Sequence, residues 1–154
     1  MQIRILAVGK KTHGWFITAG EDYMSRIKRF AQISIELIVP ENENLIGAKN
    51  SCKRESIKLL NKIRSTDFVV ACDRNGCSFD SESFAKKIGN LRDESKLVCF
   101  VIGGSCGLGS EILNRADLRI SFSALTFSHE LFRVMLFEQI YRATMILSGK
   151  KYHK

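Results

Sequence analysis

Apolar and polar positions follow two rhythms along this chain, and their order predicts the architecture. Residues 3–8 are a short apolar run of strand type. Residues 15–30 follow, with Ala19, Tyr23, Ile27 and Phe30 spaced for one helical face. Residues 33–39 alternate as a second strand, which Pro40 closes. The polar stretch 41–50 predicts a long, mobile loop, and residues 51–64 a basic helix with Ile57, Leu60 and Ile63 turned inward. A β-branched run over 68–72 is a third strand, which the turn residues Asp73-Arg74-Asn75-Gly76 end. Phe84, Ala85, Ile88 and Leu91 mark the next helix.

Residues 97–102 are continuously apolar, as expected of a central parallel strand covered on both faces. The glycine-rich segment 103–109 breaks it, and a short helix and a brief strand at about 117–121 follow. A second small-residue loop comes next, before Ser128, an N-cap with Glu130 in the first turn of a helix running to about Leu147. This alternation indicates one α/β domain over residues 1–154, an open, mostly parallel sheet with helices on both faces. The last helix is apolar nearly all round. One face meets its own domain; a homodimer interface is the natural cover for the rest.

Composition narrows the class. Of 154 residues, 45% are hydrophobic and 26% charged, an ordinary globular balance. The net charge of +8 suits a polyanion as partner and equally suits a solvated basic surface. Five cysteines, an odd count without a C-x-x-C pair, fit reduced thiols in a cytoplasmic protein. The opening residues lack the pattern of a signal peptide, and no run approaches a membrane span.

Ligands of open α/β sheets bind beyond the C-terminal ends of the strands. Three such ends carry candidate chemistry: Cys72-Asp73, the glycine loop, and the segment Phe122-Ser123-Ala124-Leu125-Thr126-Phe127. The glycine loop is neither a P-loop nor G-x-G-x-x-G, and a tight strand-to-helix turn explains it as well. Two backbone-rich loops with few fixed charges suit an adenine and ribose held by main-chain hydrogen bonds. Ser105, Ser123 and Ser128 lack a His–Asp framework, and His13, His129 and His153 share no metal-ligand spacing with the cysteines, so acyl transfer and zinc are disfavoured. Residues 148–154, with three lysines, Tyr152 and His153, read either as a frayed terminus or as an RNA-contacting tail.

Several motifs together resemble the RlmH family of SPOUT-class methyltransferases. They are Ile102-Gly103-Gly104 with Gly107-Leu108, the block Ser121 to His129, Arg133, Glu138, Tyr141-Arg142-Ala143, terminal Tyr152-His153-Lys154, and the opening Ile5 to Lys10. The likeness spans the whole chain. It implies a C-terminal trefoil knot that binds S-adenosylmethionine, an obligate homodimer, and methylation at N3 of a pseudouridine in large-subunit ribosomal RNA. The implied cofactor positions are Cys72, Asp73, Gly103, Gly104, Phe122, Ser123, Ala124, Leu125, Thr126 and Phe127. This chain departs from the family pattern with Ser105-Cys106 in the glycine loop and Lys151 before the Tyr-His pair.

N3 of a uracil-type base carries an imide proton that must leave before methylation. His153 is the residue type suited to assist, with Tyr152 and Arg142 to position or stabilise charge; alignment without a dedicated base is the alternative. RNA contacts are expected from Arg26, Lys28, Arg29, Lys53, Arg54, Lys58, Arg133, Lys150, Lys151 and Lys154. Rival readings are methylation of another base or a ribose, a non-enzymatic RNA-binding or ribosome-assembly protein, and a nucleotide-binding enzyme; the last lacks a Lys-Ser/Thr or Mg²⁺-holding carboxylate beside the loop.

Overall fold

The computed structural model describes residues 1–10, 14–150 and 152. Five strands, β1 (Gln2–Val8), β2 (Gln32–Ile38), β3 (Asp67–Ser78), β4 (Leu97–Ile102) and β5 (Leu118–Ser121), form one sheet in the order β2-β1-β4-β3-β5, every pairing parallel. Among the described residues six helices connect and cover it: α1 (Trp15–Ile27), α2 (Glu43–Ile46), α3 (Ala48–Leu60), α4 (Ser81–Asp93), α5 (Ser110–Arg115) and α6 (His129–Leu147).

The period-two alternation of the strands sorts the core into two layers. Ile3, Ile5 and Ala7 of β1 point to the same side as Phe100 of β4, where α1, α4 and α6 pack through Ile27, Ile88, Leu136 and Ile140. Leu6 and Val8 point to the other side, against Leu59 of α3 and Ile112 of α5. Phe100 is fully buried at the sheet's centre, and its truncation to Ala should cost about 3–5 kcal/mol. The crossovers through α1 and α4 step one way along the sheet and those through α3 and α5 step the other way. Each direction has its own face, so all four share one hand, as parallel connections require. The step from β4 over β3 to β5 is compatible with a knotted C-terminal half.

Three expectations are corrected. The stretch 41–50 is not a long loop: Asn42 accepts a hydrogen bond from the Asn44 amide (3.1 Å) and opens α2, and α3 begins at Ala48. In α3, Ile57 faces outward, 45% exposed, and the buried face is polar instead: Ser51, Glu55 and Ser56, with Leu59. The turn assigned to residues 73–76 lies inside β3, which bulges between Cys72 and Cys77, both opposite Ile120, and continues to Ser78. Gly76 makes that continuation possible, because a Cβ there would fall 2.6 Å from the backbone of Arg119 and Ile120.

Candidate functional site

The C-terminal ends of β3, β4 and β5 open into a cleft of about 560 Å³. Of the residues assigned to it from sequence, Cys72, Asp73, Gly103, Gly104, Phe122, Ser123, Leu125, Thr126 and Phe127 line it, and Ala124 does not. The glycine wall is bare main chain held under tight constraint. A Cβ at Gly103 would sit 2.3 Å from the Gly107 carbonyl oxygen, and one at Gly104 would sit 2.4 Å from Oε2 of Glu55. Backbone thus meets backbone across the loop, which leaves amides and carbonyls as its binding surface. On the opposite wall Ser121 donates to the Ser123 carbonyl (3.1 Å) and the Ser123 hydroxyl accepts from the Leu125 amide (3.0 Å), a local turn that leaves Leu125 72% exposed at the rim. Beneath it Phe122 packs on Phe132, their centroids 4.9 Å apart.

The polar face of α3 explains how the glycine loop keeps its shape. Ser56 accepts from the Gly109 amide (2.9 Å), and the Cys52 sulfur lies 3.9 Å from the Gly107 carbonyl. Glu55, 2% exposed, takes the Glu41 amide on Oε1 (2.9 Å) and turns Oε2 toward Gly104, with no hydrogen-bond partner among the described residues. From α2, Glu43 accepts the Ser105 hydroxyl (2.9 Å). Four side chains from a segment with weak apolar periodicity therefore hold the loop from behind. Burial pushes the Cys72 thiol up, and it raises Cys52 and Cys106 as well, so the cleft's thiols are neutral at physiological pH.

Arg142 and Tyr152, assigned to position the base or stabilise charge, lie away from the cleft. α6 starts at the cleft, where His129 and Phe132 line the wall, and its 19 residues carry it about 28 Å toward the N-terminal ends of the strands. Arg142 lies some ten residues beyond Phe132, about 15 Å along the helix axis. It is clamped by Glu138 (2.6 and 2.9 Å), which raises its pKa. Tyr152 folds back there, edge-on to Tyr141 at 4.9 Å and 5.0 Å from the Arg142 guanidinium, its phenol pushed up by burial and by Tyr23. Arg142 and Tyr152 thus meet each other but not the cleft of their own chain. His153 lies outside the described residues, as do His13, Lys151 and Lys154.

Among the described residues, the basic side chains divide into those that face an acid and those that stand exposed. Arg26 pairs with Asp22 at 2.7 Å and lies over Tyr23 and Tyr141. Arg54 (3.7 Å) and Lys58 converge on Glu41, whose carboxyl Lys58 holds below the usual range. Arg133 is tucked against Gly9 with its side chain 11% exposed, where burial lowers its pKa, and it faces Glu130 at 3.7 Å. Lys28, Arg29 and Lys53 are exposed, and Lys150 stands 5.2 Å over the ring of Phe30. Among the described residues no cluster of His, Cys, Asp and Glu could hold a metal, and no helix is long and apolar enough to cross a membrane.

Sequence reasoning missed Arg74, Asn75 and Phe132 on the cleft wall, and it missed Glu55 behind it. No signal in the sequence pointed to the last, because its burial follows only from the packing of α3 against the glycine loop. The α6 flank also borders an apolar groove of about 660 Å³ lined by Tyr23, Phe84, Phe122, Val134 and Met135.

Comparison with known proteins agrees with this picture. The family model described as "Predicted SPOUT methyltransferase" matches residues 1–153. Ribosomal RNA large subunit methyltransferase H of Caldicellulosiruptor bescii is 40% identical over 153 residues, 99% of each chain. The protein of that name from Clostridium kluyveri is 40% identical over 159 aligned positions, covering all of both chains. Among solved structures, a probable methylase family protein of Haemophilus influenzae superposes with a TM-score of 0.59 at 18% identity, covering 99% of this chain and 70% of that one. The SpoU methyltransferase AviRb of Streptomyces viridochromogenes gives 0.51 at 12%, over 97% of this chain and 61% of its own. At such identities these two speak for the fold.

Proposed function

The chain belongs to the SPOUT methyltransferase family, with the ribosomal RNA large subunit methyltransferase H proteins, and from that premise we propose that it methylates N3 of a pseudouridine in large-subunit ribosomal RNA, with S-adenosylmethionine as donor. The observation that carries this reading is the cleft at the ends of β3, β4 and β5, walled by bare main chain and a few hydroxyls. Those walls fit the cofactor: amides and carbonyls for an adenine, Asp73 for hydroxyl or ammonium donors, and an apolar floor at Phe122 and Phe132. When bound, S-adenosylmethionine supplies a methyl group already activated on a sulfonium.

The protein's remaining work is alignment and proton removal. The geometry of α6 supports a homodimer with a shared site. Arg142 and Tyr152 lie about 15 Å along α6 from the cleft wall at Phe132, so one chain does not unite them with its own cofactor loops. An isologous two-fold pairing of α6, centred near Glu138, sets the partner's Arg142 beside Phe132, and the half-buried Leu131, Val134 and Met135 offer the apolar surface for it. In that arrangement one protomer holds the cofactor. Its partner contributes Arg142, clamped by Glu138, and Tyr152 to orient the base, with His153 to accept the imide proton. The setting is the cytoplasm, where the ribosomal substrate resides.

Mass mapping of ribosomal RNA from cells lacking this protein tests the reading. One methyl group should be missing from one large-subunit pseudouridine and should return with the wild-type gene. An unchanged methylation map would overturn it.

A further inference from the structure

At the end of the sheet opposite the cleft lies a second concavity, about 560 Å³, where the starts of β1, β2 and β4 meet the C-terminal ends of α1 and α4. Lys28, Arg29, Arg92 and Lys96 line it, and the half-buried Phe30 does too, with Lys150 5.2 Å above its ring. These cations come from three separate segments and are exposed. None of the lining residues is acidic, and the carboxylates next to them in the chain are Asp93, bonded to Arg92 at 3.0 Å, and Glu94. Like charges gathered in a concavity repel one another and gain nothing for the fold; the potential they focus attracts an anion.

Resting on the two-fold pairing of α6 described above, we infer that this pocket grips the sugar-phosphate backbone of the RNA whose base enters the partner's cleft. The path of α6 carries the inference. The helix runs from its own cleft to this pocket, ending beside Phe30 through Lys150. An antiparallel partner therefore lays its cleft at this end, next to the pocket and to Tyr152. Each composite site then has a neutral, backbone-walled half from one protomer. The other half, from its partner, is cationic. The cations contact phosphates and so add affinity and register without reading sequence.

The test is Lys28→Glu combined with Lys96→Glu, assayed on large ribosomal subunits from cells lacking the enzyme. Cofactor affinity by calorimetry should equal that of the wild type. The KM for the subunits should rise tenfold or more, and the dependence of log KM on log salt should flatten by about 2, as for two lost phosphate contacts. Wild-type KM and salt dependence would overturn the inference. Mixed dimers add the placement. With one protomer carrying Gly103→Val and the other Tyr152→Ala and His153→Ala, a single composite site survives. The charge reversals should raise KM when carried by the protomer that donates Tyr152, and an effect that instead follows the loop donor would overturn the placement. If mixed dimers are inactive before any charge is reversed, the shared-site reading fails, and the KM of the homodimeric variant still decides the pocket.

Discussion

The two ends of the sheet are built from different materials. At the C-terminal end, glycine backbone, serine hydroxyls and phenylalanine rings make a cleft with little fixed charge, propped from behind by Glu55 and Ser56. At the N-terminal end, Lys28, Arg29, Arg92 and Lys96 crowd one concavity, with Arg142 on the helix that leads there and Tyr152 beyond that helix's end. A methyl donor needs shape and main-chain hydrogen bonds, whereas a folded RNA needs charge. Separating the two lets each surface be tuned without spoiling the other, and in the proposed dimer it gives the second protomer its role.

The sharpest way to break this contrast is at Gly103. The Gly103→Ala Cβ would meet the Gly107 carbonyl oxygen at 2.3 Å, and backbone cannot yield as a side-chain tip does. Calorimetry should show cofactor affinity down by about a hundredfold, the equivalent of roughly 2.7 kcal/mol. RNA binding should survive; equal loss of both would mean that the ends are not independent. The charge reversals at Lys28 and Lys96 come next, with their expected tenfold rise in KM and unaltered cofactor affinity.

A smaller effect is expected at Glu55. Removing the buried acid with Glu55→Ala deprives the Glu41 amide of its acceptor and Gly104 of its backing, and cofactor affinity should fall about tenfold. Glu55→Gln keeps the shape and the acceptor and should recover most of that loss; an alanine variant binding like wild type would remove Glu55 from the site's support. The smallest effect concerns Tyr152. Burial raises its phenol, so its docked form is favoured below the ordinary tyrosine value of about 10 and is lost as pH rises through the elevated one. Ultraviolet titration of wild type against Tyr152→Phe should show the missing phenol to be one that ionises late. If it ionises early, Tyr152 is not packed on Tyr141.

Much of this was legible in the sequence where the cause is local. The unbroken apolar run of β4 marked residues 97–102 at both ends, and Ser128 marked the start of α6 because its hydroxyl accepts the Leu131 amide (3.3 Å). The loops at Gly103-Gly104 and Phe122 to Phe127 were legible as strand-end turns and, through the family's motifs, as one pocket. What could not be read has non-local causes. Gly76 looks like a turn residue until β5 is laid against it, and α3 looks amphipathic through Ile57 until the glycine loop claims Glu55 and Ser56 instead. The length of α6 was plain from its residues. That it runs against the strands, and so carries Tyr152 away from the cleft, follows only from the packed fold.

The division of labour between protomers is tested most directly by complementation. Gly103→Val removes the loop half of a site, and Tyr152→Ala with His153→Ala removes the tail half, so each homodimer should be inactive on large ribosomal subunits. Mixed dimers should recover activity approaching half that of wild type per heterodimer, because one of the two composite sites is whole. Mixed dimers as inactive as their parents would contradict a shared site and would place the loops and the tail of one chain in the same reaction.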